Sequence, residues 1–178
     1  MSKTISFGLS VSEIDRAIKE LREYQNSLDA KCEELCRRLT AEDISIAKVH
    51  IGSSGFGKYI HLSSEITPKK AGCKAIFFME DLQKIVSKWQ NQDGVQSKEI
   101  SPALMLEFGA GLPAQNPANI PGVGTGTYGT HGNEPGWWYM DLQGVWHYST
   151  GISPKMPMYN AGKELKEKVV KIAREVFK

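Results

Sequence analysis

No run of residues in this 178-residue chain is long and apolar enough to span a bilayer. The opening MSKTISFGLS lacks the extended apolar core of a signal peptide, so the expectation is a chain made in the cytoplasm. There is no excess of one charge: the formal net charge is +2. Proteins that live on phosphate backbones usually carry a basic surplus, so specific nucleic-acid base contacts are not expected. Cysteine is scarce, at three residues, an odd number without a framework spacing. Cys32 and Cys36 lie four apart on a predicted helix and could face one metal, but a metal needs more ligands. Cys32 also continues an apolar stripe, so the three thiols are read as reduced and structural, with no metal site. Internal repeats and charge blocks are absent. So are G-x-S-x-G and H-E-x-x-H patterns around the four histidines, His50, His61, His131 and His147. No catalytic and no cofactor-binding residues are assigned.

What is present is periodicity. Ile14, Ile18, Leu21, Leu28, Cys32, Leu35 and Leu39 alternate by threes and fours, with Gln25 breaking the stripe. The pattern predicts a long amphipathic helix over 12–39, opened by Ser10 and Glu13 at capping-box spacing. Its apolar seam needs a partner, either the protein's own sheet or another copy of the chain. Thr40 and Asp43 repeat the spacing and predict a short second helix. Strands are expected at 59–62, 73–79 and 103–108, and a helical face at Leu82, Ile85, Val86 and Trp89. Asn91-Gln92-Asp93-Gly94 reads as a turn. Trp137-Trp138-Tyr139-Met140 and Val145-Trp146-His147-Tyr148 flank Asp141-Leu142-Gln143-Gly144 as a hairpin. Met158, Ala161, Leu165, Val169, Ile172 and Val176 stripe a C-terminal helix entered through Pro154 and Pro157.

Residues 112–136 differ in kind: glycine and proline fill ten of the twenty-five positions. Such a loop is usually functional or disordered. The expected fold is therefore α+β in a single domain over 1–178. A long N-terminal helix and a C-terminal helix pack on a mainly antiparallel sheet, with 112–136 as an extended Gly/Pro-rich loop insertion.

Gly52 to Lys58 reads G-x-x-x-x-G-K, one residue short of a phosphate-binding loop. Tyr59 stands where the magnesium-binding serine or threonine belongs, and YIHLSSEI after Lys58 favours a strand where a helix is required. The expectation is a glycine-rich hairpin turn between Val49-His50-Ile51 and Tyr59-Ile60-His61-Leu62. Glu80 and Asp81 then become the acidic start of the 82–89 helix. The aromatic hairpin at 137–148 has few interleaved basic residues, so cross-strand packing is the simpler reading than base stacking. Exposed aromatics there would contact protein.

Two further segments carry a likeness. Ala103-Leu104-Met105-Leu106-Glu107-Phe108-Gly109-Ala110-Gly111 resembles a signature of small neck and tail-completion proteins of tailed bacteriophages, in which a strand ends in Glu-Phe-Gly-Thr-Gly. Thr150-Gly151-Ile152-Ser153-Pro154-Lys155-Met156-Pro157-Met158-Tyr159-Asn160-Ala161 resembles the companion signature, in which a glycine and a Pro-Phe-Met-like step lead into the last helix. The aromatic hairpin between them is similar to that of relatives from phages of Gram-positive hosts. Ala110 replaces the usual threonine and Met158 the more typical phenylalanine.

The resemblance is to tail-completion and head–tail joining proteins, the gene-product-ten-like tail-component family of lambdoid phages. It implies a non-enzymatic virion protein of a phage, prophage or tail-like particle, assembled in the host cytoplasm. That protein would form a homo-oligomeric ring at the head–tail junction or tail terminus, and six copies is what the likeness suggests. Its partners would be adjacent neck or connector proteins and tail-terminator or tail-tube proteins, with no membrane. Loop 112–136 would order against a neighbouring subunit or the adjacent ring. The residues themselves leave two other classes open, a small nucleotide-binding protein using Gly52 to Lys58 and a generic cytoplasmic protein-binding adaptor. Glu107 has two readings: bonding backbone N–H groups of 150–157, or a solvated edge carboxylate.

Overall fold

A computed structural model of the chain describes residues 8, 10–52, 54–69, 72–91, 93–111, 137–141 and 143–178. The expected loop 112–136 and His131 lie outside them. The architecture is α+β.

Helix α1 runs over Val11–Ile51, 41 residues without a break. Ser10 precedes it, and its carbonyl accepts the Glu13 and Ile14 amides at 3.1 and 3.0 Å. The capping box is not formed as expected, because Ser10 Oγ bonds the Glu13 carboxylate directly and caps no amide. Nor does a second helix begin at Thr40. The Thr40 hydroxyl donates back to the Cys36 and Arg37 carbonyls, both at 3.1 Å, a bond that Ser and Thr make inside helices. The expected strand 49–51 is likewise the last turn of α1. Gly52, at φ 53°, closes the helix as a C-cap that a side chain would strain.

A single 3-10 turn at Gly57–Tyr59 leads into β1 (Ile60–Lys69), which pairs antiparallel with β2 (Gly72–Asp81) over ten residues. The expected helix at 82–89 is instead strand β3 (Ile85–Asn91), returning through the predicted Asn91–Gly94 turn into β4 (Gly94–Ile100). Ile85 and Val86 are β-branched, and their half of the sheet supplies partners that outweigh the helical spacing. Strands β6 (Trp137–Met140) and β7 (Trp146–Ser149) form the predicted aromatic hairpin and complete a four-stranded antiparallel sheet in the order β4-β3-β6-β7.

The expected strand 103–108 is helix α2 (Pro102–Phe108). Ser101 caps it by accepting the Leu104 amide at 3.2 Å, Pro102 stands at its first position, and Ala, Leu, Met and Glu favour a helix. The chain then turns through Gly109, at φ 77°, into β5 (Ala110–Gly111), which pairs antiparallel with β8 (Gly151–Ile152). Helix α3 (Pro157–Val176) follows with proline in its first turn, as predicted.

Two clusters hold these parts. Ala47 and Ala161, both fully buried, sit with Ile46 between α1 and α3, against Leu62 and Phe77 of the β1–β2 hairpin. Alanine on both helices lets the backbones approach closely, as packed helices require. The other cluster joins Ile51, Phe56, Tyr59, Ile85, Ile100, Met105, Leu106 and Ala110, with α2 at its centre. Across the surface, α1 and α3 run antiparallel. Lys168 bonds Glu42 at 2.6 Å, Arg38 bonds Glu175 at 2.6 Å, and Lys31 Nζ reaches the Lys178 carbonyl at 3.4 Å.

Candidate functional site

The two segments that carry the phage likeness are far apart in sequence and meet in space. Helix α2 is fixed at its start by Asp81, whose Oδ1 accepts the Ala103 amide at 2.8 Å. Asp81 therefore supports a helix N-terminus, as the acidic-start reading expected, but the helix is α2 and not one at 82–89. At the other end of α2, the Leu106 carbonyl accepts the Lys155 and Met156 amides at 2.8 and 3.2 Å. A helix's final carbonyls have no partner within the helix, so an arriving backbone is a natural acceptor of that role.

Glu107 completes the join. Its two carboxylate oxygens accept the Met158 and Tyr159 amides, each at 3.0 Å. These are first-turn N–H groups of α3, which no helical carbonyl can reach. Of the two readings of Glu107, the backbone-bonded one holds, two residues past the expected 150–157 stretch. The residue that would ordinarily cap α3, Met156, cannot: its side chain has no capping group. It also adopts φ 50°, ψ 47°, a left-handed conformation that costs a non-glycine residue about 1–2 kcal/mol. Its side chain is buried and its amide is bonded, which offsets that strain. Glu107 supplies from α2 the cap that Met156 lacks.

Beside this latch, His50 Nε2 lies 2.7 Å from Glu164 Oε1, and Asn160 Nδ2 lies 3.5 Å from His50 Nδ1 and 3.1 Å from the Lys155 carbonyl. These bonds tie the last turn of α1 to the first turns of α3. Sequence reasoning treated His50 as part of a hairpin and missed the pairing. The Glu164-to-Asn160 spacing, one helical turn, was the available signal.

Gly52 to Lys58 forms the connection between α1 and β1, not the expected hairpin turn. A cavity of about 440 Å³ lies there, lined by Lys48, Gly52, Lys58, His61 and Leu62 among others. Its polarity is opposite to that of a phosphate loop. The helix presents its C-terminal end, where carbonyls carry partial negative charge, and only a 3-10 turn and then β1 follow Lys58. Lys58 Nζ stands 5.0 Å from the centre of the Tyr59 ring.

The thiols do converge. Cys36 on α1, Cys73 on β2 and Cys32 are all free thiols, and burial first, then the neighbouring Cys73 and Cys32, push the Cys36 thiol up to about 11. Such a thiol is a poor nucleophile at neutral pH. Among the described residues, no group of three or more His, Cys, Asp or Glu is placed to hold a metal ion.

The four-stranded sheet carries aromatics on both faces, as alternation predicts. Tyr139 stacks on His147 at 5.4 Å and meets Phe56 at 5.4 Å on the inner face. On the outer face Trp138 and Tyr148 form an edge-on pair at 5.4 Å, about half exposed each, and Lys88 stands 4.8 Å over Trp146. His147 also bonds Asp141 Oδ2 at 2.8 Å. That bond, with the Val145 and Gln143 amides, holds the Asp141 carboxyl below its ordinary value.

No family model, no curated protein and no solved structure matches the chain. No helix among the described residues is long and apolar enough to cross a membrane.

Proposed function

We propose that this chain is a non-enzymatic structural protein of a tailed phage, prophage or phage-tail-like particle. It assembles as a homo-oligomeric ring at the head–tail junction or tail terminus, between a neck or connector ring and the tail-terminator or tail-tube proteins. One observation carries the reading. The segments 103–111 and 150–161, whose likeness to the two signatures suggested the family, join as one unit through Leu106, Glu107 and the β5–β8 pair. Two motifs that recur in order are expected to depend on each other, and here each supplies what the other's backbone lacks.

The surface agrees with work done by contact. The exposed Trp138–Tyr148 pair is of the aromatic kind that anchors protein interfaces. The nucleotide-binding alternative draws no support from Gly52 to Lys58, where a helix C-terminus stands in place of an N-terminus.

Electron microscopy of particles made with this gene deleted tests the reading. The expected result is filled heads beside unattached or malformed tails. Normal, infectious particles would overturn it.

A further inference from the structure

Among the described residues, the first half of α1 carries an apolar seam left largely exposed, with Ala17 beside it buried. Val11, Ile14, Ile18, Leu21 and Leu28 are 77, 37, 42, 53 and 40 % exposed. Helix α3 ends alongside the Tyr24–Lys31 stretch of α1, where Phe177 and Lys178 line a shared cavity with Tyr24, Ser27, Leu28 and Lys31. Residues 11–23 lie beyond that level, a length of about 20 Å at the helical rise of 1.5 Å per residue.

The seam has the spacing of a coiled coil. Val11, Ile18, Gln25, Cys32 and Leu39 fall seven apart, and Ile14, Leu21, Leu28 and Leu35 fall seven apart, three residues later. These are the a and d positions of a heptad series in which Gln25 is the one polar member. From Cys32 onward the same seam is half-buried within the chain, so only its first two and a half heptads are unpartnered.

We infer that residues 11–28 pair with the same residues of a second copy, as an antiparallel two-stranded coiled coil about a two-fold axis between Ile18 and Leu21. In that register Val11 packs on the partner's Leu28, Ile14 on the partner's Gln25, and Ile18 on the partner's Leu21. The charges flanking the seam select it. Asp15, Arg22 and Asp29 occupy successive e positions, which face one another in antiparallel pairs. The two-fold register sets Asp15 against the partner's Arg22, twice. Sliding one heptad toward the N-terminus faces Asp15 with the partner's Asp15. Sliding one heptad the other way faces Arg22 with the partner's Arg22 and Asp15 with the partner's Asp29. Both slips bring like charges together, which costs stability.

A parallel pair gains no such contact, since Ala17 and Tyr24 would face Arg22 and Asp29. It would also bring the two bodies side by side beyond residue 28, whereas the antiparallel pair holds them at opposite ends. A two-fold contact is self-complementary, and it adds a second type of interface to any head-to-tail ring. The pairing needs nothing from the phage assignment.

Sedimentation equilibrium of the full chain at micromolar concentrations tests it, together with three variants on an exposed face. The wild type should sediment at twice the 19.8 kDa chain mass. Leu21→Glu, which places two carboxylates in the central layers, should raise the dimer dissociation constant by at least about a hundredfold while the circular dichroism of the monomer stays helical. Asp15→Arg and Arg22→Asp should each weaken the homodimer by about tenfold. An equimolar mixture of those two variants should recover wild-type affinity, because every e-position contact is again between opposite charges. A wild type that stays monomeric to about 100 μM would overturn the inference, since specific dimers lie well below that constant. So would a dimer that survives Leu21→Glu, or a mixture no tighter than its components. A different occupant of the seam, whether residues 1–9 of the same chain or another protein, would appear as one of those failures.

Discussion

Glu107→Ala should unlatch α3. The carboxylate accepts two first-turn amides of that helix, Met158 and Tyr159, at 3.0 Å each. A hydrogen bond to a charged group contributes about 1.5–3 kcal/mol when buried and less when water competes. The Met158 bond is part-buried and the Tyr159 bond is exposed. Assigning about 1.5 kcal/mol to the first and about 0.5–1 kcal/mol to the second gives about 2–2.5 kcal/mol for the truncation. Loss of an ordinary N-cap reaches about 0.5–2 kcal/mol, and the left-handed Met156 leaves no local residue to replace the cap. Glu107→Gln keeps one acceptor oxygen and loses the charge that the helix dipole favours, so it should cost about 1 kcal/mol. With a urea slope of about 2 kcal/mol per molar, the Ala midpoint falls by about 1 M and the Gln midpoint by about 0.5 M. Amide exchange resolves the site: Met158 and Tyr159 should lose protection in the Ala variant before the middle of α3 does. An Ala midpoint within 0.3 M of wild type, with both amides still protected, would show that the latch is geometry without energy.

Two titrations follow from the remaining polar contacts. Asp141 is held below its ordinary carboxyl value chiefly by His147, then by the Val145 and Gln143 amides. Its contribution to the β6–β7 hairpin is therefore present above the ordinary carboxylate range and lost as pH falls through the lowered value. Carboxyl NMR should find its midpoint below that of an unpaired aspartate, and His147→Ala should move it upward; an unmoved midpoint refutes the pairing. The Cys36 thiol is pushed up from 9.0 to about 11 by burial first and by Cys73 next, so the folded state favours the neutral thiol. Its stabilising share is complete below pH 9 and declines as pH rises toward 11. Unfolding midpoints should fall across that window more steeply in the wild type than in Cys36→Ala, and parallel curves would refute it.

The parts of the fold legible in the sequence are those where one periodicity had no competitor. The stripes of α1 and α3 repeat over several turns, and the turn at Asn91–Gly94 and the hairpin at 137–148 are punctuated by glycine between extended residues. The misread stretches are short. Ile85-Val86-Ser87-Lys88-Trp89 satisfies a helical face over too few turns to decide, and its strand form depends on neighbours 94–100 and 138–140 that no local pattern reveals. Residues 103–108 are apolar apart from Glu107 because α2 is buried at the centre of a core cluster, and a mostly apolar run of that length fits either structure. Ser101-Pro102 held the deciding signal, a capping serine followed by a first-turn proline. Val49-His50-Ile51 reads as a strand in isolation, but an uninterrupted helix from residue 11 carries through it to Gly52. The latch was half legible. The glycine turn at Gly109 and a backbone-bonding role for Glu107 follow from residue types. That the partner would be the uncapped start of α3 follows only from Met156, whose left-handed backbone nothing in the sequence announces.

The same helix shows how one pattern produces two outcomes. Along α1 the apolar spacing does not change between Val11 and Leu39, yet the first half is exposed and the second is half-buried. What differs is what the chain places beside it. Beyond Lys31, α3 and the β1–β2 hairpin supply the covering surface, Glu42 and Arg38 meet opposite charges from α3, and His50 Nε2 lies against Glu164. Before it, Asp15 and Arg22 flank the seam with charges that answer each other only across a two-fold axis. A solitary helix of that length is marginal in water, so a projecting rod gains stability by being covered. Under the inferred pairing, flanking charges that match in the two-fold register and clash in its one-heptad slips are what select a second copy as the cover for this segment.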